Sequence, residues 1–356
     1  MKKHHILNVV DLFSGCGGLS YGFLKAGYNV VLGVDFIDIF LKTFETNHPN
    51  AKTLKLDLGD DSFVGEIEKS LNNQSVDVIV AGPPCQGFSL TGPRNLDDPR
   101  NRLFMSVYKL VLKLKPKAFL IENVPGMATL YGGQIRQEII EKFENIEYQV
   151  NSKVLLAAEY GVPQFRKRLV YVGIRNDLNT KFEFPTPTNE KDNYITCEDA
   201  LGDLPSRQND IGVEIDNYDT DPKTNYQKQM RESSTILHNH VASIHSKKVV
   251  DVISLVPEGG NYKDLPDGVG THRKFHVAWT RYHSKKPSNT IDTGHRNHFH
   301  YKWNRVPTVR ENARLQSFPD NFIFLGSKTD QNRQIGNAVP PKLSEALAKE
   351  VKKYIK

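Results

Sequence analysis

The chain has 356 residues, of which 38% are hydrophobic and 25% charged; this composition suits one large or two ordinary folded domains and excludes a disordered or collagen-like chain. No apolar run approaches the ~20 residues of a membrane span, and Met1-Lys2-Lys3-His4-His5 leads into no cleavage-site pattern, so a cytoplasmic protein is expected. Cys16, Cys85 and Cys197 are too few and too scattered for a disulfide framework or a four-ligand zinc site, and the net charge of +6 says little until its distribution is known.

Asn8 to Phe13 is a short apolar run ending in the turn Ser14-Gly15-Cys16-Gly17-Gly18, after which Leu19, Phe23 and Ala26 fall at helical spacing. Val30 to Asp35 reads as the next strand, Ile37 to Phe44 as a helix, and Thr53 to Leu56 leads up to Asp57. Val76 to Ala81 and Ala118 to Glu122 repeat the pattern of an apolar run ending in polar loop residues, with helical segments near Leu103 to Leu114 and Ile135 to Phe143. Strands alternating with helices predict an α/β fold with a doubly wound, mostly parallel sheet. Ligands of such sheets bind beyond the carboxyl ends of the strands, where the chain places Asp11 with its glycine loop, Asp35, Asp57, Gly82 to Ser89, and Glu122-Asn123.

Glycines let the backbone approach a ligand closely, and an acid about 20 residues further on can accept hydrogen bonds from ribose hydroxyls. The spacing Gly15-Cys16-Gly17-Gly18 departs from the GxGxxG that cradles a pyrophosphate, and no Walker-type GK[ST] follows. A cofactor with ribose and adenine but no phosphate fits better than a nicotinamide dinucleotide.

Residues 186 to 222 hold ten acidic and two basic side chains with few large aliphatics, which reads as a linker. From Lys223 to Arg310 the balance reverses to 15 basic against 6 acidic, a local excess of 15 − 6 = +9, and nine of the 12 histidines lie there among aromatic residues. Such a surface suits phosphates and bases. His238-Asn239-His240 spells a nuclease motif without its metal-site surroundings, and His295, His298 and His300 have only loose metal-like spacing, so no metal is expected.

Gly82-Pro83-Pro84-Cys85-Gln86-Gly87 follows a strand directly, and its two prolines stiffen the approach to one thiol. The next strand brings a carboxyl, Glu122, to the same sheet edge. A thiol hydrolase would need a histidine nearby, and among residues 1 to 180 only His4, His5 and His48 are available.

Asp11-Leu12-Phe13-Ser14-Gly15-Cys16-Gly17-Gly18, Pro83-Pro84-Cys85-Gln86, Glu122-Asn123-Val124, Gln164-Phe165-Arg166-Lys167-Arg168, the Arg310 to Pro319 block and Gln334-Ile335-Gly336-Asn337-Ala338-Val339-Pro340 together resemble the ordered motif series of the DNA (cytosine-5) methyltransferases of bacterial restriction-modification systems. The resemblance covers most of the chain outside its middle. It implies S-adenosyl-L-methionine as methyl donor, double-stranded DNA as substrate, a stand-alone monomer, and a cognate restriction endonuclease as a system partner without direct contact. It implies Cys85 as nucleophile toward carbon 6 of a flipped cytosine, Glu122 at ring nitrogen 3, and Arg166 and Arg168, one residue apart at a strand start and so on one side, near the base or the nucleophile loop. On the cofactor side it implies Phe13, Gly15, Gly17, Gly18, Asp35, Asp57, Pro83 and Asn337. On the DNA side it points to the region between Lys223 and Arg305, with Arg281, Thr290 and Arg296 as candidates.

The resulting division is a catalytic and cofactor-binding domain from 1-185 plus 306-356 and a linker with a target recognition domain at 186-305. Two alternatives remain: a tRNA cytosine-5 methyltransferase of the same family, and a catalytically silent DNA-binding homologue. The separate RNA class carries a second cysteine where this chain has Glu122-Asn123-Val124, and the intact Cys85, Glu122 and arginine pair argue against a silent homologue.

Overall fold

The computed structural model describes residues 6–84, 102–269, 279–294 and 296–356, and the chain divides into two compact units. The first comprises residues 1–156, 167–187 and 341–356, the second residues 157–166 and 188–340. Residues 306–340, expected from sequence with the catalytic part, make their contacts within the second unit.

The first unit is built on a seven-stranded sheet. Its strands are β1 (Asn8–Leu12), β2 (Asn29–Asp35), β3 (Lys52–Lys55), β4 (Val78–Ala81), β5 (Ala118–Asn123), β6 (Tyr148–Leu156) and β7 (Lys167–Arg175), in the order β3-β2-β1-β4-β5-β7-β6. The first five lie parallel, and β7 runs antiparallel to both β5 and β6. The order reverses at β1, so the ends of β1 and β4 flank the switch point where an open α/β sheet leaves a crevice.

Alternating side chains of the strands enter the two layers. Val10, Leu12, Ile79, Ala81, Phe119 and Ile121 meet α3 (Phe63–Leu71), α4 (Arg102–Leu114) and α5 (Gln134–Glu144) in one continuous core. Each large apolar side chain fully buried there contributes about 1.5–3 kcal/mol. A further helix, Pro341–Ile355, packs on α1 (Gly18–Lys25), and α2 (Asp38–Asn47) joins β2 to β3. A Cβ on Gly22 would lie 2.4 Å from Cβ of Ser344, so only glycine permits that approach, and Ser344 Oγ donates to the Leu19 carbonyl there. α3 and the strand β6 were not read from sequence. β6 alternates buried and exposed residues irregularly, as suits a sheet edge.

The second unit has short helices and two-residue strands held by buried polar groups. Arg314, fully buried, donates to both carboxylate oxygens of Asp320, at 2.9 and 2.6 Å, and also pairs with Asp203. Arg310 donates to the carbonyls of His238, Pro319 and Phe322. Glu311 accepts from Arg305 at 2.7 and 2.6 Å and from the Thr308 amide at 2.7 Å, and that guanidinium, with His300, holds the carboxyl far below its ordinary range.

These contacts correct the reading of residues 186–222 as a linker. Cys197, Ala200, Leu201 and Asp203 are buried, and the acids serve as partners and caps: Asp203 for Arg314 and Arg231, Asp210 and Asp216 for Arg207, Asp199 in the capping box of helix Cys197–Leu201.

Candidate active site

The site grows from the carboxyl ends of β1, β2, β4 and β5 and the amino end of β7, all in the first unit. At β1 the backbone turns sharply: Phe13, Gly15 and Gly17 have φ of 55°, 54° and 92°, left-handed values that cost a residue with a side chain about 1–2 kcal/mol. A Cβ on Gly17 would stand 2.3 Å from Cε1 of His48, whereas one on Gly15 would meet nothing within 4 Å among the described residues. The loop is thus packed from below at Gly17 and open at Gly15.

Gly17 is the N-cap of α1 and has no side chain with which to cap it. The carboxyl of Asp11 supplies the missing acceptor from the strand beneath, taking the backbone N–H of Ser20. Its Oδ2 is buried with no partner among the described residues, and burial pushes its pKa up to about 7. His48 stacks on Phe44 with ring centroids 4.1 Å apart, donates from Nδ1 to the Phe44 carbonyl at 3.0 Å, and accepts from Ser20 Oγ at 3.3 Å. Burial holds that imidazole neutral, down to about 4.

Asp35 at the end of β2 accepts the Gly15 N–H at 2.8 Å and the Ile37 N–H at 2.9 Å, and burial raises its pKa. The next side chain, Phe36, is 66% exposed. Phe36, beside an acid at a strand end, was given no role by the sequence reading. Asp57 follows β3, is exposed, and accepts the Gly59 N–H at 2.8 Å.

At the ends of β4 and β5, Pro83 is buried and its carbonyl accepts from Nδ2 of Asn123 at 3.2 Å, while Oδ1 of Asn123 takes the Val124 N–H at 2.8 Å. Asn123 was quoted within a motif but given no role of its own; this clamp on the segment leading to Cys85 is visible only in the structure. Cys85 lies outside the described residues. Cys16 and Cys197 are buried, and burial pushes both thiols up, that of Cys16 to about 12, which removes them as nucleophiles.

Glu122 is 9% exposed and lies 3.6 Å, through Oε2, from where a Gly82 Cβ would be. Oε1 pairs with Nε of Arg168 at 2.5 Å. The pairing follows from register: Glu122 is opposite Val170 across the antiparallel β5–β7 ladder, which puts Arg168 diagonally beside it on the same face.

Arg166 does not share that position. It precedes β7, is 1% exposed, and donates from Nη2 to the Gly336 carbonyl at 2.8 Å and from Nη1 to the Ile291 carbonyl at 3.3 Å, within the second unit. Arg166 falls in the second unit and Arg168, the second residue of β7, in the first.

Among the DNA-side candidates, Arg281 is buried and donates to the carbonyls of Val256, Ile253 and His300 and to the Asn304 side chain. That corrects its reading as a DNA contact: its guanidinium is enclosed by carbonyl groups. Thr290 is exposed, with Oγ1 donating to the Phe165 carbonyl at 2.8 Å, and Arg296 is exposed. Asn337, also exposed, ends the helix Lys328–Asn337 in the second unit. No group of three or more potential ligands for a metal ion occurs among the described residues. Within His238-Asn239-His240, Asn239 bonds both backbone groups of Phe324, and His240 lies between Thr308 Oγ1 and the Pro205 carbonyl. No described helix is long and apolar enough to cross a membrane.

Comparison with known proteins gives this arrangement its family. The family model described as C-5 cytosine-specific DNA methylase matches residues 7–353. Type II methyltransferase M1.HphI of Haemophilus parahaemolyticus is 41% identical over 98% of this chain and 87% of its own length, and Type II methyltransferase M.DdeI of Desulfomicrobium norvegicum is 36% identical over 98% and 89%. A solved structure described as a DNA modification methyltransferase encoded within an E. coli prophage superposes with a TM-score of 0.79 at 28% identity, covering 98% of this chain and 99% of that one. With a sheet of this order, a glycine loop at its switch point and a carboxyl paired with arginine at its edge, the chain belongs to the C-5 cytosine-specific DNA methylases.

Proposed function

We propose that the protein transfers a methyl group from S-adenosyl-L-methionine to carbon 5 of a cytosine within a short double-stranded DNA sequence, as the protective methylase of a type II restriction-modification system. The observation that carries the reading is the pair Glu122–Arg168 set against Gly82, three residues before Cys85 in the sequence. The naming of the relatives as Type II methyltransferases supports DNA over tRNA.

The residues at β1 and β2 fit the cofactor. Gly15 leaves open space above the loop, Asp35 offers a carboxylate for ribose hydroxyls, exposed Phe36 and partly buried Phe13 offer aromatic surface for adenine, and no phosphate-binding turn is needed. When bound, the group supplies an electrophilic methyl on a sulfonium.

Carbon 5 of cytosine is a poor nucleophile, so the Cys85 thiolate adds first to carbon 6 and the electron pair of the 5,6 double bond becomes available at carbon 5. Glu122 delivers or shares a proton at nitrogen 3 as the ring gains negative charge; Arg168 fixes the carboxyl group. Carbon 5 takes the methyl, then loses its proton to a base, and the returning electron pair expels the Cys85 thiolate and restores the aromatic ring. Both carbons are attacked from a ring face, so the base must leave the stack.

The test is transfer of labelled methyl to duplex DNA of varied sequence. Wild type should label DNA, Cys85→Ser should not, and 5-fluorocytosine DNA should trap the wild-type protein covalently. Absence of label on any DNA, or full labelling by Cys85→Ser, would overturn the proposal.

A further inference from the structure

The motif arginine Arg166 has a geometry that differs from that of Arg168. In the second unit, residues 164–166 form a junction with two distant segments. Gln164 Nε2 donates to the Leu315 carbonyl at 3.2 Å and to Oε1 of Gln316, its Oε1 accepts the Ile291 N–H at 3.1 Å, and Gln316 passes the connection on to the Ala338 carbonyl at 2.6 Å. Phe165 takes the Ser288 carbonyl with its N–H at 2.8 Å and offers its own carbonyl to Thr290 Oγ1. Arg166 closes the junction by bridging the carbonyls of Ile291 and Gly336.

Gly336 explains why these carbonyls can be so close. A Cβ there would stand 2.5 Å from the Asp292 carbonyl oxygen, 2.6 Å from its carbon and 2.8 Å from the Thr293 nitrogen, so the backbone of 292–293 lies directly on the helix end. A guanidinium presents donors in a fixed planar fork, which suits two carbonyls at set positions; an ammonium on a flexible stem does not reproduce it.

We infer that Arg166 is a positioning residue that acts on DNA only through the Ser288–Thr293 segment, whose place against Gly336 it fixes, and that it touches neither a phosphate nor the target base. This rests on the DNA-methylating reading above and assigns Thr290, on the surface of that segment, as the group so presented. At 1% exposure the Arg166 side chain offers a phosphate no access.

The two roles separate experimentally. A phosphate contact contributes about 0.9 to the slope of log K against log salt, survives Arg166→Lys in large part, and is lost in Arg166→Met. For a positioning residue both variants, and Gly336→Ala with its arginine intact, lower kcat/KM on DNA on the order of 10²-fold, the scale of an ångström-sized misplacement, while the salt slope of DNA binding stays at the wild-type value. Thermal melting identifies variants that fail to fold; if the arginine variants do, Gly336→Ala carries the test. Wild-type activity in Arg166→Lys or in Gly336→Ala, or a slope reduced by about 0.9 in Arg166→Met, would overturn the inference. If wild type itself methylates no DNA, the parent reading fails instead, and the wild-type assay reports that separately.

Discussion

The side chain of Asn123 donates to the carbonyl of Pro83 at 3.2 Å, tying the end of β5 to the segment that leaves β4 for Cys85. Removing the amide leaves a buried carbonyl without its partner, a cost of about 1–3 kcal/mol, and frees the proline approach to relax. Asn123→Ala should lower the single-turnover rate of methyl transfer about 10- to 100-fold and leave the cofactor dissociation constant near wild type. Equal losses in rate and cofactor affinity would show instead a general collapse of the site.

Gly15 and Gly17 have left-handed φ angles within one loop, yet their substitutions should fail differently. Gly17→Ala forces a methyl into the His48 ring and should cost at least about 2 kcal/mol of stability, read as a lower melting temperature. Gly15→Ala meets no atom within 4 Å among the described residues, so it should cost about 1–2 kcal/mol from backbone strain while weakening cofactor binding more than Gly17→Ala does in whatever fraction stays folded. Isothermal titration beside calorimetry separates the two.

His48, His240 and His300 are buried, and burial holds them down to about 4, about 4 and about 3. Each folded-state value lies below the unfolded value near 6.5, so the unfolded chain binds more protons between these limits and stability rises with pH there. The stability these groups confer is complete above about pH 6.5 and is lost as pH falls toward 4 and then 3. Asp11 has the opposite sign: raised to about 7 from 3.8, it binds a proton in the fold first, and its contribution declines as pH rises from about 4 to 7. Urea titrations should therefore show a steeper rise of stability with pH between 4 and 6.5 in Asp11→Asn than in wild type.

Asp203 and Arg314 are both fully buried and paired. Asp203→Ala would leave the guanidinium with Asp320 as its remaining carboxylate and should destabilise the second unit by about 3–5 kcal/mol. Calorimetry should show this as a shifted transition. Unchanged melting would mean that the pair is dispensable.

Legibility in the sequence followed the range of the interactions. Apolar runs such as Val78–Ala81 and Ala118–Asn123 are strands because of their own composition, so most of the sheet could be read directly. Glu122 could be placed at the ligand edge for the same reason. The acidic stretch misled because the partner that buries Asp203, Arg314, lies 111 residues away in sequence, and no local pattern announces a buried ion pair. Arg281 misled for the converse reason: a basic residue in a basic region has the same letter whether it faces solvent or a ring of carbonyls. Phe36 and Asn123 went unassigned because exposure and a single hydrogen bond are properties of the folded chain.

β7 runs against the strands of the parallel part of the sheet, with Arg168 as its second residue. Glu122, like most groups at such an edge, stands where a strand gives way to a loop. Arg168 instead stands where a strand begins, and every ladder rung that follows it, on β5 and on β6 alike, braces it from behind. The carboxyl is thus backed by a fixed abutment. The Glu122–Arg168 pair is aligned by ladder bonds rather than by the segments that follow β4 and β5.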